Sequence, residues 1–117
     1  MLSEGMNAER RVAVRCRAFR AVRLHQPHPP HVVETLTTDL TTGGMRCVSP
    51  CSFPPDRDVQ VELLLSDGAE PCVVTGRPVW ALPLPGSSHI HLGVVFVDSS
   101  SRNKRRLSAY ISKLPSK

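Results

Sequence analysis

The chain has 117 residues and a net charge of +5, enough for one domain core and too few for two. Hydrophobic residues make up 40% and aromatics only 4%, with 11 prolines and 7 glycines; this excludes a helix bundle and points to an aliphatic core built from many short elements. No apolar run approaches the ~18 residues of a membrane span, and MLSEGMNAERR lacks the apolar run of a signal peptide, so a cytoplasmic protein without membrane insertion is expected, with Cys16, Cys47, Cys51 and Cys72 as reduced thiols packed like small hydrophobes.

Residues 1–8 read as a flexible tail and residues 9–117 as a single domain. Arg15 to His25 is extended, and the breaker-rich HQPHPP of His25 to Pro30 ends it in a loop. Val32 to Asp39 is β-branched and threonine-rich, and MRCV pairs back on it after Gly43-Gly44, whose glycines reach positive φ without a Cβ clash. A loop from Pro50 to Asp58 leads into VQVELLL at Val59 to Leu65, whose alternation predicts a half-buried strand, and SDG at Ser66 to Gly68 turns the chain. Cys72 to Leu82 and His89 to Val97 are two further strands around a PLPGSS loop; in the second, Ile90, Leu92, Val94 and Phe96 share one face and His89 and His91 the other. From Ser99 the period changes. Leu107, Tyr110, Ile111 and Leu114 recur at helical spacing, and Asp98, Ser99, Ser100 or Ser101 caps the start. Strands at short intervals followed by one helix predict a mainly β fold, a small antiparallel barrel closed or nearly closed, with one C-terminal α-helix.

Charge is clustered. Arg10, Arg11, Arg15, Arg17, Arg20 and Arg23 crowd the first quarter, and Arg102, Lys104, Arg105 and Arg106 the C-terminal helix. Such a balance favours an anionic partner: nucleic acid, nucleotide or acidic lipid head groups. Arg17, Arg20 and Arg23 suit a solvated strand face.

Two features exceed what the fold needs. Ahead of the first strand stands ERRVAVR, with Arg11 and Arg15 at the ends of a five-residue stretch and Arg10 alongside. At the hairpin tip stands DLTTGG, Asp39 to Gly44. In this order and this β context they resemble the two short motifs of the PilZ domain family, RxxxR and D/N-x-S-x-x-G. VTGRPVW at Val74 to Trp80 and HLGVVFVD at His91 to Asp98 look like the family's later strands. The resemblance covers about residues 9–114, with Thr41 standing where the family usually has Ser.

The resemblance implies a six-stranded barrel and a bacterial, non-enzymatic receptor for the second messenger cyclic di-GMP. Its ligand-binding residues would be Arg10, Arg11, Arg15, Asp39, Thr41, Gly43 and Gly44. The residue types suit that chemistry. Arginine forks onto a guanine O6/N7 edge or a phosphate while its face stacks on a base. An ionised Asp39 accepts from the guanine N1 and N2 edge, Thr41 donates to a phosphate oxygen, and Gly43 and Gly44 allow close backbone approach. The segment bearing Arg11 and Arg15 is expected to order over the ligand, and in the family an arginine at the place of Arg10 leans towards an intercalated ligand dimer. A downstream protein partner is implied too. The alternative is a PilZ-like adaptor that no longer binds the dinucleotide and works by protein contacts.

Other chemistries find less support. The five histidines with Cys47 and Cys51 lack Cys-x2-Cys or His-x3-His spacing, so no metal site and no cofactor are expected. There is no nucleophile elbow, paired-carboxylate motif or P-loop. DNA or RNA binding lacks interleaved stacking aromatics, Phe19, Phe53, Phe96, Trp80 and Tyr110 being shared with the core. Trp80 suits a barrel rim better than a ligand platform.

Overall fold

The alternating segments form six strands, β1 (Ala21–Gln26), β2 (His31–Thr41), β3 (Gly44–Ser49), β4 (Val59–Leu63), β5 (Cys72–Pro83) and β6 (Ile90–Ser99), followed by the helix α1 (Ser101–Ser112). The computed structural model describes residues 20–65 and 70–113. The expected tail, the first part of the Arg15 to His25 segment, the Ser66 to Gly68 turn and Leu114 lie outside these residues. The strands close into a barrel in the order β1-β2-β3-β6-β5-β4, each neighbour antiparallel. Closure leaves no edge pair open in the sheet order, the arrangement by which small β domains avoid edge-to-edge association.

Alternation fills the barrel with aliphatic side chains. Val22 and Leu24 of β1, Val59, Val61 and Leu63 of β4, and Leu92 and Val94 of β6 are all buried. The VQVELLL strand is shorter than expected: its ladder with β1 ends where Leu63 meets Val22. Leu65, past that end, is buried nonetheless. Ser100 caps α1, its Oγ accepting from the Asn103 amide at 3.1 Å. Leu107 and Ile111 are buried, and α1 packs against β5, where Asn103 Nδ2 donates to Val73 O at 2.9 Å. No helix among the described residues is long and apolar enough to cross a membrane.

Two irregularities shape one face of the barrel. In β2, Thr37 pairs with Cys47 and Asp39 with Arg46, so Thr38 is an extra, bulged residue. Such a bulge shifts the phase of a strand by one. Val33 and Thr37 face inward, yet past the bulge Leu40 does, leaving Asp39 and Thr41 on the outer face. In β5, pairing with β4 ends at Gly76. Beyond it the strand continues on β6 alone with a second irregularity between Pro78 and Trp80, which is where a proline without an amide proton is tolerated.

The hairpin at the tip of β2 and β3 has a two-residue connection, Thr42-Gly43, with Thr41 paired to Gly44. The expected reason for its glycines is corrected: neither takes a positive φ, and among the described glycines only Gly86 does, at 71°. Gly44 is needed for space. A Cβ there would sit 2.4 Å from the Val94 carbonyl oxygen on β6, whereas at Gly43 the nearest atom would be Thr41 Oγ1 at 3.9 Å.

Candidate ligand-binding site

The outward turn of β2 at Thr38 sets up a row of residues paired across four strands. Asp39 of β2 is opposite Arg46 of β3, Arg46 is opposite Gly93 of β6, and Gly93 is opposite Trp80 of β5. With Thr41, Gly44 and Val79 these residues line an open pocket of about 300 Å³. Small-molecule sites span roughly 300–1,000 Å³, so this one stands at the lower end of that range, with room for a single flat ring system. A roomier groove of about 590 Å³ between His25, Pro30 and Asp58 brings none of the motif residues together.

Each side chain in the row has a defined task. Asp39 Oδ2 is paired with Arg46 Nη2, the two side chains being 14% and 29% exposed. Arg46 Nε is buried and has no hydrogen-bond partner. Gly93 makes room for the indole: a Cβ on it would lie 2.2 Å from Trp80 Cε2. The Trp80 ring meets His91 edge-on at 5.6 Å between centroids, and His91 Nε2 is 3.3 Å from the hydroxyl of the bulged Thr38. That hydroxyl is also 3.3 Å from the Arg46 carbonyl, to which it donates. The indole is thus held from below and from one side while 38% of the residue stays exposed, a flat apolar surface beside a carboxylate and a guanidinium.

Thr41 is turned to the hairpin itself. Its Oγ1 accepts from the amides of Gly43 and Gly44, each at 3.1 Å, and donates to Gly44 O at 3.3 Å. A side-chain oxygen that collects the amides two and three residues on is the usual way Ser and Thr close a turn. Both Ser and Thr supply that oxygen, and the added methyl of Thr41 leaves it in place.

Of the residues expected at the site, Asp39, Thr41 and Gly44 line the pocket, and Gly43 sits exposed in the turn beside it. Arg10, Arg11 and Arg15 lie outside the described residues. Trp80, expected at a rim, lines the pocket. Arg46 and Gly93 were not singled out by sequence, although a count outward from the Thr42-Gly43 turn pairs Asp39 with Arg46, an acid with a base. Cys16 lies outside the described residues, and the described thiols do not line the pocket: Cys47 and Cys72 are fully buried, and burial pushes the Cys47 thiol up to about 12. Cys51, half-buried, stands 3.1 Å from His31 Nε2. Among the described residues no three His, Cys, Asp or Glu side chains gather at one point.

A family model of the PilZ domain matches residues 9–113. No curated protein sequence matches the chain. Among solved structures, the Bacillus subtilis inhibitor of motility MotI/DgrA is similar with a TM-score of 0.69 and 17% identity, over 86% of this chain and 48% of that one. The PilZ domain of YcgR from Escherichia coli, solved with c-di-GMP, is similar with a TM-score of 0.65 and 16% identity, over 86% of this chain and 87% of that one. At these identities the likeness is one of fold, and the chain spans about half the length of the MotI/DgrA structure.

Proposed function

The chain belongs to the PilZ domain family, whose members are ligand-binding receptor domains, and on that footing we propose that it is a receptor for cyclic di-GMP. The observation that carries the reading is the meeting of Asp39, Thr41 and Gly44 with the exposed Trp80 ring around one pocket. A guanine stacks on an indole and presents its N1 and N2 donors to a carboxylate. The pocket suits one base, and Arg10, Arg11 and Arg15 supply cations for the remainder of the ligand. The described chain begins at Arg20, whose amide and carbonyl both bond Thr37 at the start of the bulge. Five residues span at most ~17 Å when fully extended, a length that is compatible with Arg15 taking part in the site. Signalling proceeds by closure of the N-terminal segment over the ligand and a changed surface for a downstream protein.

Trp80 is the only tryptophan, so its emission reports on the pocket without labelling. Titration of the full chain with cyclic di-GMP is expected to change that emission and release heat with the same affinity. Arg15→Ala and Asp39→Asn are each expected to weaken binding about tenfold or more, the worth of one charged hydrogen bond. Neither heat nor emission change up to roughly 100 µM ligand, about −5.5 kcal/mol of binding, would sink the reading.

A specific observation favours a second reading, the adaptor that binds no dinucleotide. Asp39 already holds Arg46 and Thr41 already closes the turn, so both have structural tasks in the hairpin itself. Partners captured equally by the wild type and by Asp39→Asn, with and without cyclic di-GMP, would support it.

A further inference from the structure

We propose that Arg46, which lies outside both motifs, anchors a phosphodiester of the bound ligand through its Nε and Nη2 edge; the proposal rests on the cyclic di-GMP reading. Arg46 stands on the outer face of β3 between Asp39 and Gly93. It is the only Lys or Arg among the described residues lining the pocket. A dianionic ligand that enters beside the Asp39 carboxylate needs a cation there, and Arg46 supplies it.

The guanidinium is half used. Nη2 holds Asp39 at a single oxygen, while Nε is buried and unpartnered. A guanidinium edge is built to grip two oxygens at once, and a buried donor without an acceptor is costly to keep. The two non-bridging oxygens of a phosphodiester satisfy Nε and Nη2 together. The exchange also frees both Asp39 oxygens for the guanine N1 and N2 edge. One swing of Arg46 thereby creates the phosphate grip and exposes the base acceptor.

The test is a cycle between protein and ligand, read by calorimetry on the full chain. Wild type, Arg46→Gln and Arg46→Lys are titrated with cyclic di-GMP and with its phosphorothioate, in which one non-bridging oxygen of each phosphodiester is sulfur. Arg46→Gln is expected to weaken cyclic di-GMP binding about tenfold or more, and Arg46→Lys, which keeps the charge but not the fork, by less. The phosphorothioate is expected to bind wild type more weakly but to cost Arg46→Gln nothing further, since interacting groups are non-additive. Wild-type affinity in Arg46→Gln, equal affinity of wild type for both ligands, or an equal sulfur penalty in both proteins each overturns the proposal; the last would leave Arg46 a positioning residue for Asp39. Should Arg46→Gln melt before titration, Arg46→Lys carries the same cycle. Folded wild type that binds no cyclic di-GMP at all overturns the receptor reading itself, and is thereby told apart from a failure of Arg46.

Discussion

The two glycines at the hairpin tip are expected to respond in opposite ways to the same substitution. In Gly44→Ala the new Cβ would sit 2.4 Å from the Val94 carbonyl oxygen, below the 3.0 Å that real Cβ atoms essentially never cross. The obstacle is backbone, so no side chain can rotate away; β3 and β6 must part by several tenths of an ångström. The bonds most exposed to that parting are those beside it, including Phe96 N to Gly43 O at 2.9 Å. Overpacking costs about 1–3 kcal/mol and one lost or stretched backbone bond about 1 kcal/mol more. A total near 3 kcal/mol corresponds to a fall in Tm of about 10 °C for a domain of this size. Gly43→Ala meets only Thr41 Oγ1 at 3.9 Å and needs no positive φ, so its Tm should stay within about 2 °C, or rise slightly because alanine restricts the unfolded chain. Thermal melts by circular dichroism on both variants decide the matter. Equal shifts, or a Gly44→Ala protein that melts like wild type, would refute the claim that the motif glycine is there for β6.

Two other outcomes follow from the site and its inner wall. Thr41→Ser keeps the oxygen that bonds both turn amides and should leave stability within about 0.5 kcal/mol, whereas Thr41→Val strands those amides at a cost of about 1–2 kcal/mol in a denaturant titration; similar values for both would show that the hydroxyl does not hold the turn. Burial lifts the Cys47 thiol from 9.0 to about 12, so the unfolded chain gives up its proton first: this stabilisation is complete below pH 9 and is lost as pH climbs from 9 towards 12, by up to about 1.4 kcal/mol per unit. Urea melts at pH 8, 9 and 10 should show that decline in wild type and a shallower one in Cys47→Ala, and parallel slopes would count against it.

Much of the barrel is written in local pattern. VQVEL and AVRLHQ alternate cleanly in burial, and of the face expected in the last strand Leu92 and Val94 are buried while Ile90 and Phe96 are half-buried. Two-residue turn chemistry located the hairpin, and the spacing of Leu107 and Ile111 located the buried stripe of α1. Strand ends were less legible, because a ladder stops where its partner stops: β4 ends at Leu63 against Val22 although its sequence stays apolar through Leu65. The row from Asp39 to Trp80 was legible only in part. Its first step follows from counting back from the turn. The later steps depend on β3 pairing β6 and β6 pairing β5, a register that no local period encodes. Gly93 did leave a trace: HLGVVFV places it on the outer face with His91 and Val95, and a glycine in a strand often marks a close approach, here by the Trp80 ring.

The bulge at Thr38 is the point at which fold and site depend on each other. By plain alternation Val33, Thr35, Thr37, Asp39 and Thr41 would share one face, and that face is the core. Thr37 can stay inside because its hydroxyl accepts the Arg20 amide at 3.1 Å. A carboxylate one step further in would face an aliphatic interior with no cation, a burial that proteins avoid by pairing or protonation. One extra residue removes that conflict by turning Asp39 outward, where β3 presents Arg46 and β6 presents a glycine rather than a side chain. The same step turns Thr41 onto the two amides of the tip and leaves Leu40 to fill the core position. The polar run Thr37-Thr38-Asp39 therefore keeps the core aliphatic and sets Asp39 at the pocket through one local device, and the barrel needs no separate loop to display its acid.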